Sequence, residues 1–154
     1  MSKTKAGIGL GAGALAGLLA LVAYHEGYVP RTYADPIGIP TICFGHTGPD
    51  VTPGRTATRG ECEALLSEDL AEAWEGVQRC IRVPMAEHQA AALTSFTYNV
   101  GERALCRSTL AKHANAGNWL AACAELSRWV YAGQKQLPGL VKRRAEERKL
   151  CEGR

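Results

Sequence analysis

Residues 25–48 read HEGYVPRTYADPIGIPTICFGHTG, and this stretch decides the fold. Asp35-Pro36-Ile37-Gly38 has the order of a type I turn, with Asp first, Pro second and Gly fourth. Arg31–Ala34 and Pro40–Phe44 flank it, which predicts a short hairpin. Pro40 donates no ladder hydrogen bond, so its strand is expected at an edge. Gly45–Gly54 carries three Gly and two Pro and reads as loop, with room for one more short strand.

Beyond the loop the pattern turns helical. Thr58-Arg59-Gly60-Glu61 is a capping box, and Cys62, Leu65, Leu66, Leu70, Trp74, Val77 and Ile81 follow at helical spacing. Pro84 closes that segment and opens another, which ends near Asn99 with Leu93 and Phe96 inward. Ser108 caps a short helix that stops at Gly117. Trp119–Val130 and Pro138–Cys151 read as two further helices, with Pro138 in a first turn. The expected class is α+β, mostly helical, with one small hairpin lobe.

The chain has 154 residues, one domain's worth, with 46% apolar and 21% charged residues, which excludes disorder. A net charge of +3 is far from the dense basic patch of a nucleic-acid binder. Neither a P-loop nor a G-x-S-x-G, H-E-x-x-H or G-x-G-x-x-G motif occurs, so no cofactor is expected. The four histidines follow no ligand spacing and the cysteines form no C-x-x-C pair, so no metal is expected either. Six widely spaced cysteines fit disulfides in an oxidising compartment.

Ala6–Ala23 is an uncharged run of 18 residues (six Ala, five Gly, five Leu, Ile8 and Val22) preceded by Lys3 and Lys5. It is barely long enough to cross a bilayer, and its Gly and Ala content makes insertion marginal. The lysines place the N-terminus in the cytoplasm and export the remainder. A signal peptide and a buried helix are the competing readings. The cleavage point lacks an Ala-x-Ala pattern, and five glycines make a poor soluble helix. A weak, uncleaved anchor over residues 1–24 ahead of a domain over residues 25–154 is preferred.

Glu26, Asp35 and Thr41 are the candidate catalytic residues. Glu26 ends the apolar segment before Gly27, and apolar surroundings there would keep a proton on its carboxyl. Asp35, in the polar turn, would remain ionised, and Thr41 across the hairpin offers a hydroxyl to hold water. An acid, a carboxylate and a positioned water are what glycoside hydrolysis needs. Spacing alone is weak evidence, since most such pairs are merely solvated.

The residues Glu26-Gly27, Tyr33-Ala34-Asp35-Pro36, Gly38, Thr41 and Gly45-His46-Thr47-Gly48 resemble the catalytic hairpin of phage-type lysozymes. Ser95–Gly101 and Ser108–Leu110 are similar to the central segment of that family, and Arg128–Gly133 and Pro138–Arg144 to its C-terminal one. With the leading apolar run, the chain resembles signal-arrest-release endolysins. This resemblance implies a lysozyme-like fold and cleavage of the β-1,4 bond between N-acetylmuramic acid and N-acetylglucosamine in peptidoglycan. Glu26 would be the general acid, with Asp35 and Thr41 handling water. It implies inversion, which needs carboxyls about 6.5–9.5 Å apart.

The expected partners are peptidoglycan strands and, before release, the host inner membrane, with the active form a monomer in the periplasm. Residues 1–42 hold no cysteine, so release cannot proceed by disulfide reshuffling within the anchor. A lytic transglycosylase and a tethered, non-catalytic peptidoglycan-binding module are the alternatives. Of fifteen cysteine pairings, the one expected is Cys43–Cys62, from the hairpin to the first long helix, Cys80–Cys106, at the two ends around the central helix, and Cys123–Cys151, between the last two helices.

Overall fold

The computed structural model describes residues 10–154. Helix α1 (Ala12–Glu26) leads into an antiparallel sheet of β1 (Val29–Ala34), β2 (Pro40–Cys43) and β3 (His46–Thr47), in the order β1-β2-β3. Four helices follow: α2 (Arg59–Cys80), α3 (Glu87–Val100), α4 (Glu102–Arg107) and α5 (Thr109–Asn115). Helix α6 (Trp119–Glu125) tightens into a 3₁₀ turn over Leu126–Arg128. A second hairpin, β4 (Tyr131–Ala132) and β5 (Lys135–Gln136), then precedes α7 (Pro138–Cys151). The α+β class and the helical majority are as expected.

The Asp35 turn forms as read, with the Gly38 N–H donating to Asp35 O at 2.9 Å. Pro40 corrects the edge expectation, because β2 is the central strand. Pro40 is its first residue and pairs with Ala34, whereas β3 reaches only Thr41 and Ile42. The absent N–H therefore interrupts no bond to β3.

The capping box at α2 closes in both directions, with bonds of 3.1 and 2.9 Å between Thr58 and Glu61. Helix α3 is the axis of the molecule: Ala90 to Thr97 are all buried. Its small residues let α2 and α7 approach closely. One core gathers Val77, Leu93, Phe96, Leu105 and Leu126; a second gathers Leu18, Val22, Ile42, Phe44 and Leu70. Leu18 and Val22, one turn apart on α1, have no exposure at all, so α1 packs as part of the second core.

Three details depart from the sequence reading. The helix expected over Trp119–Val130 stops at Glu125 and gives way to the 3₁₀ turn, with the Trp129 N–H bonding to Leu126 O, while the Leu137 N–H takes Val130 O at the base of the second hairpin. That hairpin, reversing at Gly133 (φ 62°), has strands too short to show alternation. Helix α4 is too short to show a period, and Gly101 (φ 91°) separates it from α3.

All six cysteines pair as expected: Cys43–Cys62 ties β2 to α2, Cys80–Cys106 ties α2 to α4, and Cys123–Cys151 ties α6 to α7. Among the described residues no helix is long and apolar enough to cross a membrane. Residues 6–9 of the apolar run lie outside the described residues. The described helix is 15 residues long and continues through Tyr24 and His25 to Glu26.

Candidate active site

A cleft of about 500 Å³, within the range of ligand sites, opens beside the sheet. Glu26 stands on it at the end of α1. Gly45 and Thr47 reach it from the sheet, Asp69 and Glu72 from α2, and Tyr98 and Asn99 from α3. Glu26 ends its helix because Gly27 adopts φ 76°, a left-handed conformation that turns the chain into β1.

The surroundings of Glu26 differ from the apolar ones expected. The Arg143 Nη1 donates to Glu26 Oε1 at 2.7 Å, and the Glu26 side chain keeps 21% of its exposure. Its other oxygen lies 2.8 Å from where a Cβ on Gly45 would sit, so any side chain there would have to push that oxygen aside. Tyr98 closes the same wall, its hydroxyl donating to Phe44 O at 2.6 Å. Burial, with the negative charges of Glu26 and Asp69, pushes the Tyr98 phenol far above its ordinary pKa.

Arg143 is itself anchored. Its Nε donates to Glu147 Oε1 at 3.1 Å and its Nη2 to Ser95 O at 3.2 Å. Arg144 donates to both Glu147 Oε2 and Asn99 Oδ1, and at 3.0 Å to Trp129 O. The Ser95 hydroxyl adds a 2.7 Å bond to Glu147. Two guanidiniums thus face two carboxylates, those of Glu147 and Glu26. The formal charges of this network balance.

Asp35 and Thr41 do not line the cleft. Asp35 Oδ1 accepts the N–H groups of Ile37 and Ile39 at 2.9 and 2.8 Å, which fixes the carboxylate in its turn. The buried Thr41 hydroxyl donates to Ile39 O at 3.0 Å. Thr41 pairs across β2–β3 with Thr47, which does line the cleft.

His46, assigned no special role from sequence, joins β3 to α2. Its Nδ1 lies 2.7 Å from Asp69 Oδ2, and its Nε2 lies 3.0 Å from Asp50 Oδ2. Burial alone would lower its pKa, but the bonds and charges of Asp69 and Asp50 outweigh burial and raise it. Burial lifts the Asp69 carboxyl despite His46, whereas the His46 bond lowers that of the exposed Asp50. The sequence reading also missed Arg143, Tyr98 and Asp69 as site residues. The signal lay in Ser95–Gly101 and Pro138–Arg144, noted as similar to the family but given no roles.

A small sheet beside a helical body, with an arginine-held carboxyl on the cleft between them, is the build of a lysozyme-type hydrolase. The chain belongs to the phage lysozyme family, whose model matches residues 23–147. It is 42% identical over 150 residues to the SAR-endolysin of Enterobacteria phage P21, covering 92% of this chain and 90% of that one. Its fold matches the active form of the P1 phage endolysin Lyz with a TM-score of 0.82 at 26% identity, over 95% of this chain and 86% of that one. Against the secreted inactive form of that endolysin the TM-score is 0.55 at 27% identity, over 70% and 77%. The chain is a peptidoglycan-hydrolysing endolysin.

Proposed function

We propose that this enzyme cleaves the β-1,4 bond between N-acetylmuramic acid and N-acetylglucosamine, with Glu26 as general acid. The observation that carries this is the Glu26 carboxyl on the cleft, held 2.7 Å from Arg143. Glu26 protonates the glycosidic oxygen, and Arg143 meets the carboxylate left behind. In this reading the glycan strand extends past the residues lining the cleft and along the hairpin, where Asp35, whose Oδ1 is occupied, uses Oδ2 to take the proton of a water that attacks the anomeric carbon. Thr41, whose hydroxyl proton goes to Ile39 O, helps to hold that water by accepting its other proton in a hydrogen bond, and the anomeric configuration inverts.

Glu26→Gln keeps the shape and removes the proton, so activity on purified cell walls should fall about 10²–10⁴-fold. More than about a tenth of the activity remaining would overturn the assignment. Products of the parent enzyme should carry a reducing end; an anhydro ring would identify a transglycosylase instead.

The N-terminal run serves, in this reading, as a weak anchor that holds the enzyme on the inner membrane until it escapes to the periplasm. Once free, its C-terminal part docks as α1 and delivers Glu26 to the cleft. Supporting this are the full burial of Leu18 and Val22 and the closer likeness to the active P1 form. A Cβ at Gly13 or Gly17 meets nothing within 4 Å, so Gly13→Leu/Gly17→Leu spares the docked helix. The pair adds about 1 kcal/mol of insertion free energy. Fractionation with and without an uncoupler should find the variant retained in the membrane and slow to lyse. Release like the parent's would refute the anchor.

A further inference from the structure

The last three residues of α1 each meet α7. The Tyr24 hydroxyl accepts from Lys142 at 2.5 Å, His25 Nε2 lies 2.6 Å from Glu146 Oε2, and Glu26 meets Arg143 at 2.7 Å. Tyr24 is 64% exposed, so its bond contributes little. The His25 side chain, by contrast, keeps only 7% of its exposure. A carboxylate only accepts, so the His25 Nε2 proton points at Glu146.

The rest of α1 says little about its own orientation. Between Ala12 and Ala23 every residue is Gly, Ala, Leu or Val, so leucines and small residues occur on all sides. Leu18 and Val22 are buried on one side, but the leucines and alanines at neighbouring positions could fill the same space, so burial selects that rotation only weakly. A shift of one residue turns the helix by about 100°, which would carry Glu26 away from Arg143 and off the cleft. Polar pairs at a packed interface fix register where apolar contact does not.

We infer that His25 is a positioning residue: its bond to Glu146 sets the rotation of α1 on α7 and thereby places Glu26 for proton transfer. The inference rests on Glu26 being the acid, as proposed above. Substrate contacts elsewhere on the cleft do not depend on it, so turnover should suffer and binding should not.

The test is a double-mutant cycle on soluble, uncrosslinked peptidoglycan glycan strands, with His25→Ala, Glu146→Ala and the pair. Glu146 is partly exposed, so its truncation leaves a foldable α7, to be checked by near-ultraviolet circular dichroism at the assay temperature. Each single variant should lose about ten-fold or more in kcat, with KM within about two-fold. The double variant should lose no more than either single one. Glu146→Gln still accepts the Nε2–H bond and should restore most of the kcat. Additive losses, a loss carried by KM, or no rescue by glutamine would overturn the inference. If Glu26→Gln stays fully active the acid assignment fails; if it is inactive while His25→Ala is not, only this inference does.

Discussion

Replacing Glu147 with Gln should destabilise this enzyme more than the loss of any surface ion pair. Glu147 is completely buried and takes three bonds, from Arg143, Arg144 and the Ser95 hydroxyl. Glutamine matches its volume but carries no charge and retains a single acceptor oxygen. Both arginine side chains, 4% and 1% exposed, would then lack their shared counter-ion in a low-dielectric interior. Breaking a buried pair in this way costs about 3–5 kcal/mol. For a chain of this length each kcal/mol moves the melting midpoint by about 2–4 °C, so a drop of roughly 6–20 °C is expected. Circular dichroism melts of parent and variant, disulfides intact, measure it directly. A drop below about 3 °C would mean that the arginines do not depend on Glu147, and the balanced network would be refuted. Muralytic activity should fall as well, since Arg143 would lose the partner that aims it at Glu26.

Because the neighbouring aspartates raise the His46 pKa on folding, the stability it contributes is full below the ordinary histidine value of about 6.5 and is lost as pH rises through the folded value. Urea unfolding of the parent and His46→Asn should therefore show a wider gap at pH 6 than at pH 8.5; a gap that widens with pH contradicts the pairing. Gly45→Ala should cost about 1–2 kcal/mol for its φ of +78° and push aside a Glu26 oxygen that Arg143 holds in place. A cell-wall clearing assay should show most activity lost, and parent-like clearing would mean that the Glu26 carboxyl is free to move.

The sequence by itself determined what depends on neighbours along the chain. The Asp35 turn, the Thr58–Glu61 capping box, the Ser108 cap and the Pro138 start all form as read, because each needs only residues within a few positions. The disulfides form in the pairing chosen among fifteen, although Cys80–Cys106 joins α2 to α4 across the intervening α3. Glu26 was legible because it joins an apolar helix to a hairpin, and a family motif surrounds it. Tertiary structure decided the rest. Pro40 reads as an edge residue from sequence because the pairing of β3 with Thr41 and Ile42, which makes β2 central, is decided in three dimensions. The charge beside Glu26 comes from Arg143, 117 residues away, and the partner of His46 comes from Asp69 on another element. A run such as Lys142-Arg143-Arg144 reads as a solvated face until packing places Glu147, Ser95 and the Glu26 carboxyl around it. Local hydrogen bonding writes itself into short spacings, whereas the partner of a buried charge is chosen by which helices pack together.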